Sequence, residues 1–130
     1  MPPKPPPPRA LLRTEPAPAT RAAMLVTLAQ TLPGGGKLTV SYVPDRDILT
    51  SGALARYAQT VPPREVNTQE PLESLAAAIA EDFADQVVPR WHRVAVHDRD
   101  HTVTVEDRQP GWDHPTLLNS LPRPLKSATR

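Results

Sequence analysis

Glu73 is the side chain with the most specific chemistry open to it. It stands in "PLESLAAAIAED", in the first turn of a predicted helix. An acid at that position is stabilised by the helix dipole, which is reason enough for its presence. A carboxylate also accepts two parallel hydrogen bonds, and that pattern matches the adjacent N–H donors of a guanine-like or pterin-like ring. On the residues alone both readings stand.

Other chemistries are poorly served. The chain has no cysteine, which excludes thiolate catalysis, disulfides and cysteine-based zinc sites. His97 and His101 flank a "DRD" turn and are placed to face each other across a hairpin. A metal site needs three or four convergent ligands, and spacing fixes no third, so no metal is expected. No serine lies in a G-x-S-x-G elbow. The "GGG" run lacks the lysine-serine continuation of a phosphate-binding loop and precedes a strand instead of a helix.

The 130 residues suffice for one domain with tails, and 15 basic against 14 acidic side chains give a net charge of +1. No long basic run argues for nucleic acid. The longest mostly apolar run, Leu72 to Ile79, is far short of the roughly 20 residues that cross a bilayer. No secretory signal pattern is present at the N-terminus, and a cytoplasmic location is expected. The only aromatic side chains of the Phe, Tyr and Trp type are Tyr42, Tyr57, Phe83, Trp91 and Trp112, so the core is thin and oligomerisation would help it.

The elements that must position Glu73 follow from periodicity. Eight of the 18 prolines lie in the first 20 residues, which predicts a disordered tail of polyproline II character over 1–20. "AMLVTLAQT" and "KLTVSYV" alternate with period two and are joined by "LPGGG", a hairpin pattern that Pro44 ends. A short helix is expected from Thr50 or Ser51, either of which can cap it, with Leu54, Tyr57, Ala58 and Val61 on one face. A longer helix is expected from about Glu70 to Val88, with Thr68 as cap, Pro71 in the first turn and Leu72, Leu75, Ile79, Phe83 and Val87 as its stripe. "WHRVAVH" and "HTVTVED" form a second hairpin. The sum is an α+β domain over 21–108, with a four-stranded antiparallel sheet and two helices on one face. Residues 109–130 read as a partly disordered extension in which Trp112 covers the last strand or meets a neighbour. The outer strands would be unpaired edges, open to another subunit.

"LTVSYVPDRDILTSGALARY" resembles the NADPH-dependent 7-cyano-7-deazaguanine (preQ0) reductases of queuosine biosynthesis. These belong to the tunnelling-fold (T-fold) superfamily, with GTP cyclohydrolase I and dihydroneopterin aldolase. The family's Y-x-P-D corner matches Tyr42, Pro44 and Asp45. The spacing from its substrate glutamate to I-x-x-D-[LF] matches Glu73, Ile79, Asp82 and Phe83, and "VPRWHRVAV" is similar to the strand that follows. The likeness spans about residues 37 to 97. It implies the ββααββ order, a barrel of several subunits, and a purine-like or pterin-like ring bound to Glu73 at a subunit interface.

The departures from the family are equally specific. Its C-P-x-T-G-Q-P-D segment, with the nucleophilic cysteine and the proton-handling aspartate, has no counterpart. Its NADPH-associated E-S-K-S-x-K-x-Y stretch stands here as "TSGALARY". Ser51 and Tyr57 persist there as the implied cofactor contacts, while the acid and both lysines are replaced by Thr50, Gly52 and Ala55. NADPH is the cofactor the resemblance implies, and these losses count against it. Without a thiolate there is no covalent thioimide route. Three readings follow. The chain binds a heterocycle without thiol-dependent nitrile reduction, as a homo-oligomer or with another T-fold subunit. Or it is a non-catalytic structural subunit of such an assembly. Or it is a reductase subunit completed by a partner chain. Whether it is an enzyme, the reductase type or another T-fold purine or pterin enzyme, is left open by the sequence.

Overall fold

Apolar and polar residues alternate along four segments, and those segments build the sheet. The computed structural model describes residues 8–62 and 71–121. Strands β2 (Val26–Thr31) and β3 (Lys37–Val43) form the first hairpin, and β5 (Trp91–Asp98) and β6 (His101–Arg108) the second. β3 pairs antiparallel with β5, so the order is β2-β3-β5-β6 with β2 and β6 as its outer strands. In the β2–β3 loop Gly34 has φ 91°, a region that side chains with a Cβ rarely enter.

Helices α1 (Ala53–Ala58) and α2 (Leu72–Val87) pack on one face of this sheet. Leu38, Val40 and Tyr42 of β3 and Val94 and Val96 of β5 meet Leu72, Ile79, Phe83 and Val87 of α2, all buried. Phe83 sits edge-on to Tyr42, with ring centroids 5.1 Å apart, and tilts against His92 at 5.8 Å. Burying each such side chain contributes on the order of 2 kcal/mol, before chain entropy is counted. The predicted stripe of α2 is therefore the core face, with Leu75 at its margin. The architecture is α+β, with the expected ββααββ order in β2, β3, α1, α2, β5 and β6. Among the described residues, no helix is long and apolar enough to cross a membrane.

Three expectations need correction, and a fourth gains detail. The N-terminal stretch is not a tail through residue 20. Pro8–Leu11 form a 3₁₀ turn, β1 (Thr14–Pro16) pairs with β4 (Asp47–Leu49), and Leu12 is buried in the core. The short helix starts at Ala53 instead of Thr50 or Ser51, and no side chain caps it. β4 runs to Leu49, the Thr50 hydroxyl donates to the Arg13 carbonyl at 3.3 Å, and Gly52 turns the chain at φ 79°. α2 begins at Leu72 with Pro71 just outside it, while the expected Thr68 cap and Glu70 lie outside the described residues. Finally, α3 (Pro115–Leu118) follows the last strand, so the C-terminal extension is helical over that turn.

Candidate functional site

α2 runs antiparallel to β5, so its first turn reaches the end of the sheet where the β5–β6 hairpin turns. Glu73 is in that turn, and its side chain is 62% exposed. Its Oε2 lies 3.3 Å from Nε2 of His101, the first residue of the outer strand β6. The carboxylate thus stands at the head of a helix and beside a strand that has a single neighbour among the described residues.

The two hairpin histidines do not face each other. His97 is on the sheet face away from the helices, where its Nδ1 is 2.6 Å from the Thr102 hydroxyl. His101 shares the helix-side face with Val103 and Val105. An odd number of residues separates that face from its opposite along a strand, and the two-residue Arg99-Asp100 turn leaves His97 opposite Thr102 and His101 opposite Asp98. Among the described residues, no group of three His, Asp or Glu side chains converges to hold a metal.

Ser51 and Tyr57 are not brought together. Ser51 is exposed and lines a cavity of about 270 Å³ between β2 and α1, with Leu28, Tyr42 and Leu54 in its walls. Tyr57 is buried, does not line that cavity, and donates its hydroxyl to Asp82 Oδ2 at 2.7 Å. Burial, then the hydrogen bond and the charge of Asp82, push the phenol far above its ordinary range. The cavity walls carry no lysine or arginine. Arg56, nearby on α1, reaches the Ser51 carbonyl at 3.5 Å. NADPH brings three phosphates, which call for cations or a cluster of N–H donors. The residues of this one cavity do not fit it.

A second cavity, of about 400 Å³, lies at the end of the sheet away from Glu73, shares Pro18 and Met24 with the first, and was not legible in the sequence. Asp45, from the Tyr42–Pro44–Asp45 corner, binds Arg90 at 3.4 Å through Oδ1 and accepts from Gln109 Nε2 at 3.1 Å through Oδ2. Tyr42 holds the corner by accepting from the buried Leu49 N–H at 3.0 Å. Trp112 lines this cavity. The corner residues that carry the resemblance therefore brace one loop against another, and Glu73 is about 25 Å away along β5.

No protein-family profile matches the chain, and no curated protein matches it. Among solved structures, the archaeosine synthase QueF-Like in its apo form is similar, with 17% identity and a TM-score of 0.48. The match covers 73% of this chain and 100% of that one. It is a likeness of chain trace and says nothing about ligand or residue roles.

Proposed function

We propose that the chain is a heterocycle-binding subunit of T-fold type. It assembles through the outer strands β2 and β6, and Glu73 takes a purine-like or pterin-like ring at the seam between subunits. No thiol step takes part, because there is no thiol. The observation that carries this reading is the place of Glu73: an exposed carboxylate at a helix head, beside the first residue of an outer strand. A subunit added along β6 would put a neighbour against that carboxylate. The ring's two adjacent N–H groups would then bond to its two oxygens. The resemblance over residues 37 to 97 supplies the ligand class.

The Glu73–His101 pair favours a second reading, in which the carboxylate serves hairpin and helix alone and the chain is a structural subunit. Calorimetric titration with preQ0, guanine and pterin, together with mass determination in solution, separates the two. Binding that Glu73→Gln abolishes while the assembly persists supports the first. An assembly that binds none of the three leaves the second. A monomer that binds nothing overturns both. NADPH oxidation with preQ0 that appears only on adding a cysteine-bearing T-fold partner would identify a reductase subunit.

A further inference from the structure

The 400 Å³ cleft at the Arg90 end of the sheet is built from four separated segments: the irregular stretch leading into β2, the β3–β4 corner, the residue before β5 and the C-terminal extension. Its volume falls in the range of small-molecule sites. Its charge has a direction. Asp45 is the acid in the wall, and both of its oxygens are engaged, one by Arg90 and one by Gln109. Arg21, also in the wall, is exposed and makes no ion pair or hydrogen bond among the described residues. His114 accepts the Leu117 N–H on Nδ1 at 3.1 Å, which caps α3. That bond requires a lone pair on Nδ1, so the ring's proton sits on Nε2, which is left as a donor. The balance of the lining is one compensated ion pair, one further cation and one imidazole donor. That set suits an anion.

The wall also holds a flat group. Trp112 is half-buried in it, whereas Trp91, the other indole of the chain, is fully buried. An indole partly open in a cleft beside cations offers a stacking face next to an anion site.

We propose that this cleft binds a small aromatic anion, its ring against Trp112 and its charge held by Arg21, Arg90 and His114. The site is independent of Glu73, being about 25 Å from it along β5. The test uses the full chain and three probes: phenyl phosphate, inorganic phosphate and phenol. Binding is followed by calorimetry and by the two indole N–H resonances in a heteronuclear NMR spectrum, assigned with Trp112→Phe. Phenyl phosphate should bind saturably and shift the Trp112 resonance but not that of Trp91. Inorganic phosphate should bind at least about tenfold more weakly, and phenol not measurably. Arg21→Ala, a change at an exposed position, should weaken phenyl phosphate about tenfold or more, the loss of one charge-assisted contact. Trp112→Phe should keep most of the affinity, Trp112→Ala should lose it, and Glu73→Gln should leave it unchanged. Equal binding of phosphate and phenyl phosphate overturns the stacking role. Absence of saturable binding, or binding indifferent to Arg21→Ala, overturns the site.

Discussion

The Tyr57 hydroxyl donates to the Asp82 carboxylate at 2.7 Å, tying the short helix α1 to the middle of α2. Tyr57→Phe removes that bond and leaves a partly buried carboxylate without its donor. The cost should be about 2 kcal/mol, read as a lower urea midpoint with an unchanged slope. The same pair sets an alkaline limit. The folded phenol is raised above its ordinary 10.0, first by burial and then by Asp82. A raised group contributes its stability in full below the unfolded value. It loses that contribution as pH climbs from about 10 toward the folded value. Tyr42 is raised as well, by burial opposed by the Leu49 N–H, and adds in the same sense. Wild type should therefore lose stability above pH 10 more steeply than Tyr57→Phe.

Val88 ends α2 in the left-handed region at φ 49°, and the residue is 56% exposed. A β-branched residue there is strained, and little packing offsets the strain. Val88→Gly should raise stability by about 1 kcal/mol, seen as a higher melting temperature. A lower one would mean that the side chain packs on something beyond this chain.

His92 is buried against Phe83, with Asp107 opposite it on β6. Burial holds its proton affinity below the ordinary 6.5, and Asp107 and Glu106 oppose that in part. A depressed group contributes stability above the unfolded value and loses it as pH falls below about 6.5. Glu106 works further down. Burial raises its carboxyl, but the bonds from Arg93 and Arg108 outweigh that and hold it below 4.5, so its contribution fades in more acid solution. His92→Gln should flatten the stability profile just below pH 6.5 and leave the steeper fall below 4.5 in place. A wild-type profile already flat across the upper window would contradict this account of the buried ring.

The long periodic elements were legible because period two and period 3.6 separate cleanly over six or more residues. Leu38, Val40 and Tyr42 share one face as their spacing requires, and so do Leu72, Ile79, Phe83 and Val87. β1 and β4 have three residues each, too few to show a period, and β1 lies among prolines that read as a tail. The helix start was misplaced because Thr50 and Ser51 have the right chemistry for a cap, while Gly52 sets the geometry. Glu73 was singled out by its first-turn position and by the resemblance, but its pairing with His101 was not legible. The second cleft was beyond reach, since Arg21, Asp45, Arg90 and His114 are brought together by topology and not by any local pattern.

Leu12 is the clearest case of tertiary context overriding composition. It follows a proline-rich stretch, yet it is only 1% exposed and packs in the same core as Leu54, Leu72 and Phe83. The 3₁₀ turn before it places the side chain, through the Leu12 N–H donating to the Arg9 carbonyl at 3.0 Å. The pairing of β1 with β4 holds the residues after it. Leu12→Ala should then cost about 2–5 kcal/mol, as for a core leucine, with a clear fall in the chemical-denaturation midpoint. A leucine in a detached tail would give a change within about 0.5 kcal/mol. The two outcomes are far enough apart for one equilibrium unfolding curve per protein to decide whether the N-terminal segment is part of the folding unit.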